Sequence, residues 1–264
     1  MTATALATSP TPLRPLPTPT PEVIYPDSDG KPMADNTRQF DYIVMIEGGL
    51  AALFADRPDV FVAGDLLWYP VEGNPAICAA PDAMVVFGRP PGYRGSYIQH
   101  REAGIAPQVV FEVLSPCNSR KEMNRKLKFY EQYGIQEYYE YDPDHGVLKG
   151  WQRRAGVFQP ILPMEGWISP LLGIRFSLEG TDLVLYRPDG RRFETFVELE
   201  QRAEMQRRHA EAESRRAERE RQRAETERRQ GHEEGLQQGL QQALDRLIAS
   251  GIDPDQARRL LGLA

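Results

Sequence analysis

Apolar positions crowd the middle of the chain, and their spacing changes as it proceeds. In TRQFDYIVMIEGGLAALFA (residues 37–55), Phe40, Ile43, Met45, Ile46, Leu50 and Phe54 recur at helical intervals, which predicts a first helix weakened by Gly48 and Gly49. Short strand-like runs follow: VFVAGDLLWYP, AMVVFG, QVVFEVLS, EYYEYDP, VLKGWQR and VFQPIL, each bounded by Pro, Gly, Asp or Asn. A second helix, SRKEMNRKLKFYEQYG, interrupts them and closes at Gly134, as a C-terminal glycine does. ISPLLGIRFSLEGTDLVLYRPDG reads as two more strands, with turns at Gly180 and Asp189-Gly190. A helix, strands, and a helix between strands predict an α/β or α+β domain over residues 37–196, a mixed sheet flanked by helices.

The flanks differ in kind. Residues 1–36 are rich in Pro and Thr and carry little to bury, so they are expected to form a disordered or polyproline-like tail. From Val197 the chain becomes nearly all Glu, Arg, Gln and Ala, which predicts one long charged helix over 197–232 held by i,i+4 ion pairs. Ala203, Ala210, Ala217 and Ala224 repeat at heptad spacing, compatible with a coiled-coil dimer seam or with an isolated solvated helix. Gly231 and Gly235 are expected to punctuate it, before a short helical segment over 233–264 whose leucines suit a partner.

Composition narrows the function classes. The 264 residues have a net charge of -6, which excludes blanket nucleic-acid binding and requires any such contact to come from a local patch. No run approaches the length of a membrane-spanning helix, and the start lacks the features of a secretory signal, so no membrane partner and a cytoplasmic location are expected. Cys78 and Cys117 are too few for a disulfide framework, and no His/Cys spacing suggests zinc.

One strand poses a chemical problem. In PQVVFEVLSP (107–116), alternation puts Glu112 with Val110 and Leu114, so it lies among apolar neighbours whichever face is buried. A carboxylate there must be protonated, salt-bridged, hydrogen-bonded or metal-bound. Asp82, which opens AMVVFG after Pro81, is a second carboxylate at a strand start, where an ordinary turn also explains it. On the second helix, Met123, Leu127, Phe129, Tyr130 and Tyr133 share an arc of about 160°, and Lys126 falls near its middle. Lys121, Arg125 and Lys128 lie on the opposite, solvent-facing side. The inward lysine and the carboxylates admit either a structural ion pair or a cluster that holds Mg²⁺ and positions a hydrolytic water.

PDAMVV, PQVVFEVLSP and RKLKFYEQYGIQEYYEYDP together resemble the Uma-type restriction endonuclease family, a bacterial branch of the PD-(D/E)xK nuclease superfamily, over about residues 40 to 190. The resemblance implies Mg²⁺ held by Asp82, Glu112 and the Val113 backbone carbonyl, with Lys126 orienting or activating the water. The superfamily's usual lysine position is here Leu114; the family's variant carries it fourteen residues after the glutamate, where Lys126 stands. Asn118 and Tyr139 replace a common threonine and tryptophan. Glu47 is a candidate for an additional acidic metal ligand, and Asp65 an alternative that a turn also explains. FGRPPGYRGSYIQHREAG, with Arg89, Tyr93, Arg94, Tyr97, His100 and Arg101, is the candidate DNA-facing loop. The expected function is Mg²⁺-dependent cleavage of DNA by a homo-oligomer, a dimer formed through the C-terminal helix. The competing reading is a weak or inactive nuclease-like fold that serves as a binding or assembly module through that helix.

Overall fold

A computed structural model describes residues 23–263. The chain divides into two compact units, one ending at Thr195 and one beginning at Phe196. In the first, helix α1 (Thr37–Leu53) is followed by strands β1 (Val60–Ala63), β2 (Trp68–Tyr69), β3 (Ala83–Phe87), β4 (Tyr97–Ile98) and β5 (Val109–Val113). Helix α2 (Arg120–Gln132), β6 (Glu137–Asp142), β7 (Val147–Arg154), β8 (Val157–Pro160), β9 (Arg175–Glu179) and β10 (Asp182–Tyr186) complete it.

The central sheet has six strands in the order β1-β3-β5-β6-β7-β8. It is mixed: β5 and β6 run parallel, joined through α2, while the other neighbours are antiparallel. Side chains alternate across it into two apolar layers. One face, with Val109, Phe111 and Val113, packs on Ile43, Ile46 and Leu50 of α1 and on Phe176, Leu183 and Leu185 of the β9–β10 hairpin. The other, with Met84, Val86, Val110 and Tyr138, packs on Tyr130 of α2 and on Trp68 and Tyr97 of the small β2–β4 pair. With both faces covered, all of β5 is buried, and the charge at Glu112 is buried with it.

Local rules explain the helices. Asn36 caps α1 by accepting from the Gln39 N–H, and Ser119 caps α2 by accepting from the Glu122 N–H at 3.2 Å. Gly49 is an asset, not only a weakness: a Cβ there would stand inside the Phe193 ring. Just past the end of α2, after the capping Tyr133, Gly134 turns the chain at a φ of 94° that favours glycine.

In the second unit, α3 (Phe196–Ala249) runs 54 residues, followed by α4 (Pro254–Leu260). Gly231 and Gly235 do not interrupt α3, contrary to the expectation from sequence. Each helical glycine costs about 1 kcal/mol relative to alanine, too little to break a helix this long. Asp253 and Pro254 start α4 after a tight turn, and Leu244 and Ala257 are buried in this unit. Among the described residues, no helix is long and apolar enough to cross a membrane. Of the tail expected over 1–36, residues 1–22 lie outside the described residues. Residues 23–36 have no helix or strand, yet they pack specifically against the domain, as shown below.

Candidate active site

The register of β3 against β5 pairs Ala83 with Phe111, so Asp82, one residue earlier, comes opposite Glu112. The parallel register pairs Glu112 with Glu140, and the next strand pairs Glu140 with Lys149. Asp82, Glu112, Glu140 and Lys149 thus form one row of charges across the sheet, on the face covered by α2. Lys149 Nζ closes the far end 2.6 Å from Glu140 Oε1.

Lys126 reaches the row from α2 and places Nζ 2.6 Å from Glu112 Oε2. Tyr130, one turn further along the helix, donates its hydroxyl to Glu112 Oε1 in a short hydrogen bond. Both oxygens of this carboxylate therefore have donors, which answers how a charge survives in the middle of β5. Burial pushes the Glu112 carboxyl up, while the Lys126 ammonium and the Tyr130 hydroxyl pull it back. Burial alone would lower Lys126, but the attraction of Glu112 and Asp82 outweighs it and holds the amine above its ordinary value. Asp82 has less support: Oδ2 accepts from the Val113 N–H at 2.6 Å, and among the described residues no side chain donates to it. Burial, then repulsion from Glu112, push the Asp82 carboxyl well above the usual carboxylate range, against the pull of Lys126. This is a site that accommodates a further positive charge.

The donor set fits a hard divalent ion: two carboxylates and the Val113 carbonyl, all oxygen. Gln39 of α1, a residue that sequence reasoning missed, donates Nε2 to that carbonyl at 2.8 Å and accepts from the Asp35 N–H at 2.8 Å. A carbonyl oxygen has two lone pairs, so Val113 keeps one for a ligand. Ser115, two residues past the end of β5, donates its hydroxyl to Asp35 Oδ2 at 2.5 Å, and its N–H donates to Asn118 Oδ1 at 2.8 Å. Asn118 thereby shapes the turn that launches α2 and aims Lys126 back at Glu112.

The family model described as "Putative restriction endonuclease", Uma2, matches residues 37–181, more than half of the sequence. The chain belongs to this family. A crystal structure of "a putative nuclease belonging to DUF820" from Anabaena variabilis ATCC 29413 is similar at 13% identity, with a TM-score of 0.39, over 51% of this chain and 72% of that one. No curated protein matches.

In this Uma2 chain the carboxylates and Lys126 line a cavity of about 860 Å³. Asp65 also lines it, held at φ 49° with its N–H donating to the Pro81 carbonyl. Its carboxyl is raised by burial and by Asp29 and lowered by Lys126. Glu47 is not among the lining residues; its methylenes pack against Gly64, where a Cβ would come within 3.2 Å of Glu47 Cγ. Among the described residues, no group of three or more His, Cys, Asp and Glu side chains is placed to hold a metal ion.

The segment from Tyr25 to Asp35 supplies another wall of the cavity through its second half, from Asp29 onwards. Tyr25 packs edge-on against Tyr69, and the Tyr69 hydroxyl donates to the Pro26 carbonyl at 2.7 Å. Asp29, Lys31, Met33 and Asp35 then line the cavity on the way to α1. The segment expected to be a free tail is a strap, fastened at both ends.

The loop expected to face DNA is largely engaged with the protein itself. Arg89 and Arg94 both clamp Glu102, at 2.6 and 2.7 Å, and Arg94 stacks 4.0 Å over the Phe61 ring. Arg101 lies 5.5 Å from the Tyr25 ring centroid, and the buried Tyr97 donates to the Ile105 carbonyl. Tyr93, 95% exposed, is the exception. The basic and aromatic interleaving that suggested phosphate binding instead folds the loop on itself.

Proposed function

We propose that the chain is a Mg²⁺-dependent endonuclease that hydrolyses DNA phosphodiester bonds at the cavity where Asp82, Glu112 and Lys126 meet. The observation that carries this reading is the Lys126 ammonium 2.6 Å from Glu112, opposite Asp82, in a family of restriction-endonuclease type. Asp82, Glu112 and the Val113 carbonyl would hold a divalent ion, which would supply Lewis-acid polarisation of a phosphoryl oxygen and a more acidic water. Asp82 and Glu112 hold the charge that makes such binding favourable. Lys126 keeps its proton through its carboxylate neighbours, so it positions water and offsets the charge that develops on the phosphate. Tyr130 and Val113 fix the rotamers of the two carboxylates, so little reorganisation is needed.

Plasmid nicking tests this directly, with wild type, Lys126→Ala and Glu112→Ala, each with Mg²⁺ and with EDTA. Cleavage should require the metal and both side chains. Nicking that survives both substitutions sinks the assignment.

A second reading has its own observation: α3 extends for 54 residues, and Leu244 is its one buried residue among those described. Such a surface suits self-association, with the nuclease domain acting as part of an assembly. Sedimentation of the full chain against a version ending at Thr195 separates the two, because an unchanged oligomeric state removes α3 from the explanation.

A further inference from the structure

A nuclease of net charge -6 must gather its polyanionic substrate somewhere. In the loop, Arg89 and Arg94 share one carboxylate, Glu102, which holds both guanidiniums against the protein. The strap side of the cavity offers Asp29 and Asp35 beside Lys31, with Asp65 nearby, which repels phosphate on balance. The remaining approach is α2. Lys121, Arg125 and Lys128 are exposed, and within an ideal helix they fall inside an arc of about 60°. Among the described residues, none of the three forms an ion pair; the helix's acidic residues, Glu122 and Glu131, flank the stripe about 60° beyond its two edges, and Glu122 lines the cavity beside it. Lys126, on the opposite flank, has already turned inward to Glu112.

The stripe is continuous with the candidate site. Arg125 and Lys128 line the main cavity with Asp82 and Glu112, and they also line a shallow hollow on α2 that includes Lys121. From Lys121 to Lys128 the helix rises about 10.5 Å, close to three of the 3.4 Å axial steps between phosphates of one strand.

We propose that the outer face of α2, through Lys121, Arg125 and Lys128, is the track on which the substrate's phosphodiester backbone runs into the cavity. This rests on the nuclease reading and assigns its substrate contact to the helix that carries Lys126. The contact is to backbone charge, so it is independent of base sequence and strongly salt-dependent.

The test measures binding of fluorescent single-stranded and duplex oligonucleotides to the full chain in EDTA over a range of salt. Wild type is compared with the triple variant Lys121→Gln/Arg125→Gln/Lys128→Gln. Arg154→Gln is the control, since Arg154 ends β7 near the strand end that pairs with the start of β6, away from Glu112. The triple variant should flatten the plot of log affinity against log salt by about 2–3 and weaken binding at least about tenfold at low salt, with Arg154→Gln unchanged. An unchanged slope in the triple variant, with wild type still binding and cleaving, overturns the track alone, as does an equal loss in Arg154→Gln. Wild type that neither binds nor cleaves either oligonucleotide overturns the nuclease reading and the track with it.

Discussion

The Gln39 side chain bridges α1 and β5 by donating to the Val113 carbonyl at 2.8 Å, the same carbonyl that a metal ion at this site would share. Because Val113 also donates its N–H to Asp82, one residue of β5 ties the first helix to the carboxylate pair. Gln39→Leu leaves that carbonyl and the Asp35 N–H without their partner. It should lower stability by about 1–3 kcal/mol and raise the Mg²⁺ concentration needed for cleavage. Thermal melts and a Mg²⁺ titration of nicking check this, and a wild-type metal requirement would separate Gln39 from the site.

Lys126→Ala should reduce cleavage at least about 100-fold. It also strands Glu112, costing about 2–3 kcal/mol, less than for a fully buried pair because the Lys126 side chain keeps 24% exposure. Leu114 occupies the superfamily's usual lysine position but does not line the cavity. The double variant Lys126→Ala/Leu114→Lys should therefore stay inactive, and recovery in a single-turnover nicking assay would contradict that placement.

Tyr130→Phe removes a donor to Glu112 and makes that carboxylate harder to ionise. If cleavage needs ionised Glu112, the acidic limb of the pH–rate profile should move to higher pH by about one to two units, given about 1.5–3 kcal/mol for a hydrogen bond to a charged group. An unmoved limb with reduced rate would leave Tyr130 with packing alone.

Asp82 links stability to pH. Its folded value lies above the unfolded one, so its contribution is present below the ordinary carboxylate range and lost as pH rises through the raised value. Metal-free protein should lose stability over that interval, and Mg²⁺ should restore it increasingly as pH rises, because the ion and the proton compete. Asp82→Asn should abolish cleavage yet stabilise the metal-free protein by about 1–2 kcal/mol at neutral pH. Melts at acid and neutral pH with and without Mg²⁺ report both effects. A Mg²⁺ shift independent of pH would exclude Asp82 as the competing group.

Much of this arrangement was legible in the chain because it depends on local periodicity. Alternation in β5 exposed the anomaly at Glu112, and the helical wheel of α2 singled out Lys126, two patterns set by backbone geometry within a few residues. Gln39 was invisible because a glutamine at the edge of an amphipathic helix looks like any surface polar group until the strand beneath it is known. The helical spacing of Tyr130 marks it as core, which its ring satisfies, and only the position of β5 beneath α2 shows that its hydroxyl reaches Glu112. The internal pairing of the loop at Arg89 was not legible, because its composition suits phosphate, whereas Glu102, thirteen residues on, already engages the Arg89 and Arg94 guanidiniums. Glycines in α3 misled because their cost is real but small beside the cooperativity of a long helix.

The strap from Tyr25 to Asp35 lies outside the segment matched by the family model, 37–181, yet it supplies one wall of the cavity. If the proposed function holds, the candidate catalytic residues and this wall of their cavity are encoded in separate stretches of sequence. A change confined to these few residues would reshape the cavity while every strand and carboxylate stayed in place.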